Sequence, residues 1–212
     1  AHPLYDNFGT AVSSAQARQH LGLPSEDKLL LFFGFIRPYK GLDLLIQALK
    51  HLKDESYQPS GTSGPVRLRA VIAGEFYDNA KPYLQLISEC GLEDSIILRT
   101  DFIPDSEVKY YFCAADVVVQ PYRQATQSGV TPLAYHFEKP MIVTRVGSLE
   151  AMVPNEKVGL VCSPDPGSIA ESIKRYFELG PSFFLPQLRE EKKKYSWSEL
   201  VNTILSTAEE FE

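Results

Sequence analysis

Arg37 and Lys40 stand three positions apart in GFIRPYKG, directly after the apolar run LLLFF and directly before GLDLLIQALKHL, whose apolar spacing is helical. A guanidinium and an ammonium at the carboxyl end of a buried strand, beside Gly34 and ahead of a helix, suit the gripping of a phosphate or diphosphate. Solvated charges at an ordinary strand-to-helix turn are the alternative reading of this window. A second stretch, Thr126-Gln127-Ser128-Gly129-Val130, opens another helical pattern. Its first N–H groups and the helix dipole favour an anion, and Gly129 lets a ligand approach closely. Thr126 or Ser128 as a plain N-cap is the alternative there. Pro132 is tolerable only in a first turn, which puts the helix start near Ser128. Weaker signals follow two other runs: Glu75 in AGEFYD, suited to a sugar or ribose hydroxyl or else a solvated turn, and Phe102 and Ile103 in DFIP, suited to packing on a base or else core.

The elements that would position these residues alternate. Apolar runs predict strands at 29–35, 67–73, 95–99, 116–120, 141–144 and 158–162, with helical patterns at 41–53, 80–90, 105–114, 127–137 and 167–179 and a last pair near 181–194 and 197–211. This predicts an α/β fold: a Rossmann-like, doubly wound parallel sheet of about six strands with helices on both faces. In the strand order 3-2-1-4-5-6 the ligand crevice opens between the first and fourth strands. The loops holding Arg37 and Lys40 and holding 126–130 follow those two strands, so topology sets them face to face. Asp105 with Glu107, and Ser168 with Glu171, are placed to accept from free N–H groups at helix starts, and Gly91 is placed to end a helix. Residues 54–66, DESYQPSGTSGPV, read as a surface loop. Residues 1–24 hold a short helical pattern and no strand. They read as an interdomain linker or N-terminal extension, with 25–212 as the Rossmann-like domain.

Composition narrows the classes further. With 212 residues, 44% hydrophobic and 23% charged, the chain can bury a full core, and a net charge of −6 without a long basic run argues against nucleic acid. No run approaches the roughly 20 apolar residues of a membrane span. The opening AHPLYDNFGTAVSS does not read as a secretory signal, so the expected location is cytoplasmic. Lys192-Lys193-Lys194 leave open a peripheral contact with anionic lipid at the inner membrane face. Cys90, Cys113 and Cys162 are scattered and sit in apolar patterns, as inert thiols would, and His2, His20, His51 and His136 show no ligand spacing, so no metal is expected. Phe35, Ile36 and Arg37 occupy the places where a dinucleotide fingerprint would carry glycines, which disfavours NAD or FAD.

With those residues in hand, the chain resembles the carboxyl-terminal, donor-binding half of retaining glycosyltransferases of the GT-B fold, in the group-one, family-four set. The resemblance runs through RQHLGLP (18–24), FFGFIRPYKGLDLLIQAL (32–49), VIAGE (71–75), 96–104, EVKYYFCAADVVVQPY (107–122), KPMIVTRVGSLEAMV (139–153) and GLVCSPDPGSIAESI (159–173). It implies a nucleotide-diphosphate sugar as donor, with Arg37 and Lys40 as catalytic cations at the diphosphate and the base near Phe102 and Ile103. Gly34, Glu75, Thr126, Gln127, Ser128, Gly129 and Val130 complete the implied donor site, and no cofactor or metal is implied. The acceptor, a glycan or glycolipid of bacterial polysaccharide or glycoconjugate synthesis, would be bound by an amino-terminal half that this chain lacks. One departure is plain. Members of the family commonly carry two glutamates eight residues apart at this helix, and the corresponding positions here are Ala125 and Leu133. A non-catalytic nucleotide-sugar binding module and a GT-B nucleotide-sugar epimerase are the other readings.

Overall fold

The computed structural model describes residues 8–59 and 66–195. In chain order the elements are α1 (Ser14–Leu21), β1 (Lys28–Phe33), α2 (Leu42–Asp54), β2 (Leu68–Ala73), α3 (Lys81–Glu89), β3 (Ile96–Arg99), α4 (Asp105–Ala114), β4 (Val117–Gln120), α5 (Val130–His136), β5 (Met141–Thr144), α6 (Leu149–Met152), β6 (Gly159–Cys162), α7 (Pro166–Leu179) and α8 (Pro181–Lys193). The six strands pair in parallel in the order β3-β2-β1-β4-β5-β6. This is the order expected from the sequence, and it brings the end of β1 beside the end of β4. The predicted helix 197–211, with Trp197 and Leu200, lies outside the described residues, as does 60–65 of the Ser- and Gly-rich loop.

Both faces of the sheet are covered, and the strands show it by splitting their apolar side chains by parity. Leu30, Phe32, Val117, Val119 and Ile142 join one core with Leu45 and Leu49 of α2 and Ile169 and Ile173 of α7. Leu29, Leu31, Val118, Met141 and Val143 join the other with Ala17 of α1, Phe112 of α4 and Leu133 of α5. All six β1 positions pair with β2, from Lys28 with Leu68 to Phe33 with Ala73. Their loops therefore leave the sheet at one level. Cys113 and Cys162 are buried and Cys90 is half-buried, all three as free thiols; burial pushes the Cys162 thiol up to about 11.

Helix starts differ from the expected ones at two places. At α7 the cap is Asp165, whose carboxylate accepts from the Ser168 N–H at 2.9 Å ahead of Pro166. Ser168 is thus the donor, and Glu171 pairs with Lys174 instead. At α4, Pro104 holds the cap position with no side-chain bond, so Asp105 and Glu107 favour the helix through its dipole, and Glu107 meets His20 at 2.7 Å. Gly91, at φ 61, ends α3 as expected. In the basic triplet, Lys192 shares Glu138 with Arg189, Lys193 pairs with Glu190 and Lys194 with Glu191. Among the described residues no helix is long and apolar enough to cross a membrane.

The first helix is held by a buried charge. Ser13 caps α1 in a reciprocal box with Gln16, and Gly22, at φ 62, closes it. Arg18 then points inward. Its Nε donates to Ala114 O at 3.0 Å, its Nη1 to Ser25 O at 2.6 Å and Asp27 O at 2.8 Å, and its Nη2 to Asp116 Oδ2 at 3.0 Å. The same carboxylate oxygen accepts from the Leu29 N–H at 2.7 Å. One guanidinium thus joins α1, the entry to β1 and the entry to β4. Removing one partner of such a pair strands the other, so Arg18→Ala is expected to cost about 3–5 kcal/mol in urea unfolding. Arg18→Lys is expected to restore little of this, since an ammonium cannot span the fork. A loss under about 1 kcal/mol would mean that α1 is peripheral to the fold.

Candidate functional site

Three loops leave the carboxyl ends of β2, β1 and β4 in contact with one another. Gly34 follows β1 at φ 87 and Gly74 follows β2 at φ 134; a Cβ on Gly74 would stand 2.5 Å from Gly34 O. Backbone therefore touches backbone, which no side chain at Gly74 would allow. The pairing continues past the strands: the Ile36 N–H donates to Glu75 O at 2.8 Å and the Tyr77 N–H to Ile36 O at 3.1 Å. Pro38–Lys40 then form a 3-10 turn, and Gly41 starts α2 at φ 66. A Cβ on Gly41 would lie 2.0 Å from Pro121 O, so this turn is pressed against the loop after β4.

The result is a buried ammonium. Lys40 is 9% exposed, and its Nζ lies 3.1 Å from where a Gly34 Cβ would be and 5.8 Å from the centre of the Tyr122 ring. Among the described residues it has neither a salt bridge nor a hydrogen bond. Burial, with the Arg37 guanidinium nearby, lowers its pKa from 10.5 to about 8. Arg37 goes elsewhere: its Cζ lies 3.9 Å over the ring of Tyr77, which is 62% exposed. The two cations are neighbours, but only Lys40 lines the cavity described next.

The loop after β4 is fixed from both sides. Thr144 donates its hydroxyl to Tyr122 O at 2.5 Å, the Arg123 N–H donates to Tyr39 O at 2.7 Å, and Ser148 donates to Thr126 O at 2.7 Å. Gly147, at φ 53, lies where a Cβ would stand 1.5 Å from Ala125 O. The Arg123 guanidinium also pairs with Asp43 of α2. At the loop's end Ser128 is buried, donating to Gln120 Oε1 at 2.6 Å and accepting from the Val130 N–H at 3.2 Å.

Between these loops lies a cavity of about 320 Å³, lined by Gly34, Phe35, Lys40, Gln127, Ser128 and Leu133 among others, with Gly129 and Val130 also on its wall. Among the described residues no carboxylate belongs to that lining. Thr126 sits apart, with Ala125 and Gly147, in an adjoining hollow. Glu75 is half-buried away from the cavity, with its backbone oxygen in the loop pairing. Phe102 is 70% exposed, which removes the core alternative for it, while the half-buried Ile103 packs on the core beneath. The helix begins at Val130, two residues after Ser128, with Pro132 in its first turn as expected; it spans seven residues and has one early N–H already taken by Ser128. Tyr39, Tyr122, Gln120, Thr144 and Gly147 were not singled out from the sequence. The GS pair after the fifth strand was the available signal for the last lock.

Comparison with known proteins agrees with this geometry. The family model described as "Glycosyl transferases group 1" matches residues 13–196. The D-inositol 3-phosphate glycosyltransferase of Mycolicibacterium smegmatis is 26% identical over 211 residues, covering 97% of this chain and 46% of that protein. Its counterpart in Corynebacterium glutamicum (strain R) is 31% identical over 156 residues, covering 72% of this chain and 35% of that one. The chain thus spans less than half the length of these relatives. Among solved structures, HepE of Anabaena with UDP superposes with a TM-score of 0.77 at 18% identity, covering 98% of this chain and 57% of that one. The C-terminal domain of the group 1 glycosyl transferase LpcC of Francisella tularensis gives a TM-score of 0.72 at 21% identity, covering 90% of this chain and 97% of that domain. The chain belongs to the group 1 glycosyl transferase family. Its fold is that of the C-terminal, Rossmann-like half of a GT-B enzyme.

A lysine kept charged while mostly buried opposes folding. Below pH 8 both folded and unfolded chains hold the proton, and the interval from 10.5 to about 8 corresponds to a penalty of about 3 kcal/mol. Lys40→Met is therefore expected to stabilise the fold by about 2–3 kcal/mol at pH 7. That gain should shrink as pH rises from about 8 toward 10.5, where the unfolded chain also gives up the proton. Chemical denaturation of both proteins across this range checks it; a destabilised variant at pH 7 would contradict it.

Proposed function

We propose that this chain is the donor-binding part of a glycosyltransferase that moves a sugar from a nucleotide-diphosphate sugar to an acceptor with retention of configuration. The observation that carries the reading is the buried Lys40 ammonium: among the described residues it has no counter-ion, and the cavity it lines has no carboxylate. A diphosphate would supply the missing charge. Family membership and the likeness to HepE, solved with UDP and with UDP-glucose, support the class of ligand.

Breaking the sugar–phosphate bond builds positive charge at the anomeric carbon and negative charge on the departing diphosphate. Lys40 would stabilise that negative charge as it grows, in a site already ordered before the reaction. Arg37 is proposed as the second cation. To reach the diphosphate it would leave the Tyr77 ring, and an exposed contact of that kind is worth only about 0.5–1 kcal/mol, well below a charge-assisted bond to phosphate. Gln127, Ser128 and Gly129 would meet the donor across the cavity, and Phe102 and Ile103 would flank the base. Metal independence is part of the proposal. The acceptor, a glycan or glycolipid of bacterial glycoconjugate synthesis, would be bound by an amino-terminal half, and cytoplasmic nucleotide sugars would be the supply. A second reading, a nucleotide-sugar binding module without transfer, is favoured by one observation: Ala125 and Leu133 stand where relatives of the resemblance carry carboxylates, and Leu133 lines the cavity.

In the full-length protein, Lys40→Ala is expected to lower turnover by about 100- to 1,000-fold with the fold intact, as loss of one such donor does elsewhere. Transfer should persist in EDTA. Affinity for a nucleotide diphosphate should also fall as pH rises above about 8, because the free ammonium loses its proton there. Wild-type turnover in Lys40→Ala would refute the reading. Binding without transfer across UDP-, GDP- and ADP-sugars would select the binding module.

A further inference from the structure

Gln120 closes β4 and is 1% exposed. Its Oε1 accepts from Ser128 Oγ at 2.6 Å and from Thr131 Oγ1 at 3.2 Å, while its Nε2 is buried without a partner among the described residues. A dry, unpaired amide nitrogen works against folding, and a leucine or methionine ending this valine strand would avoid it. What the glutamine contributes is visible in its neighbours. A serine hydroxyl has one proton and two lone pairs. At Ser128 the proton goes to Gln120 and one lone pair takes the Val130 N–H at 3.2 Å. The remaining lone pair, for which the neighbouring Tyr122 side chain competes, belongs to a residue that lines the cavity beside Lys40.

We infer that Gln120 is a positioning residue that sets Ser128 as a hydrogen-bond acceptor on the cavity wall, so that Ser128 reads a hydroxyl of the ribose or sugar while Lys40 takes the diphosphate. This rests on the nucleotide-sugar reading above. An oxygen with no proton to give repels a phosphate oxygen and accepts from a hydroxyl, so the two sides of the cavity divide the ligand between them. The polar recognition at this wall thus comes from a hydroxyl held by an amide, without a carboxylate.

The test titrates the full 212-residue chain, labelled for amide NMR, with inorganic pyrophosphate and with whichever of UDP-glucose and GDP-mannose the wild type binds better. Gln120→Met and Ser128→Ala are each expected to weaken the sugar nucleotide by about tenfold, the loss of one hydrogen bond, and to leave pyrophosphate within about twofold. The double variant should lose no more than either single one, since both remove the same interaction. Unchanged sugar-nucleotide binding, equal weakening of both probes, or losses that add in the double variant would each overturn the inference. Should Gln120→Met fail to fold, Ser128→Ala decides by the same split between probes. A wild type that binds neither probe refutes the nucleotide-sugar reading itself, and this inference with it.

Discussion

A buried ammonium with no counter-ion among the described residues constrains everything around it. Two glycines make room for it: a Cβ on Gly34 would stand 3.1 Å from the Lys40 Nζ, and Gly41 lets the turn settle against Pro121. The fold pays a cost of a few kcal/mol for this charge, comparable to a large fraction of a domain's net stability. The buried Arg18 at the opposite end of the sheet shows the contrast. It has four oxygens within 3.0 Å and holds elements together, whereas the Lys40 ammonium has no hydrogen-bond partner among the described residues and lines a cavity.

The loops around Lys40 are stiff for reasons of geometry. The segment after β4 is fixed by Gly41 on one side and by Thr144, Gly147 and Ser148 on the other, each contact made to its backbone carbonyls. A site built this way needs little reorganisation when a ligand arrives, and fixed polar groups act most strongly when water is excluded. Such preorganisation connects the parallel sheet to the chemistry. The register of β1 against β2 and β4 sets where the loops start, and the glycines set how closely they pack.

Much of the fold was legible because both faces of a parallel sheet are buried. Runs such as LLLFF and VVV between glycines and prolines have few other homes, and the observed order is one of the two common doubly wound orders that such alternation allows. The place of Arg37 and Lys40 was legible too, but their directions were not. Three positions apart on a regular turn would put them on one side, yet Arg37 is still extended at φ −129 before the 3-10 turn begins, and the two side chains diverge. Gln120 looked like the polar end of a strand, since nothing local shows that Ser128 and Thr131, eight and eleven residues on, return to it. Asp165 was available as a cap signal through the proline that follows it, and Glu190 and Glu191 were visible beside the lysines they neutralise.

The resemblance to group 1 glycosyl transferases is carried by the sheet and by the turn holding Lys40, while the departure lies at Ala125 and Leu133. Among the described residues lining the cavity, Lys40 is the one charged side chain. The most direct measurement is the titration of the Lys40 side chain itself, by NMR of its ε carbon with Lys40→Arg for assignment. The account predicts a midpoint near 8 in the free chain that moves upward when pyrophosphate is added. An ordinary lysine midpoint near 10.5, unmoved by pyrophosphate, would contradict it.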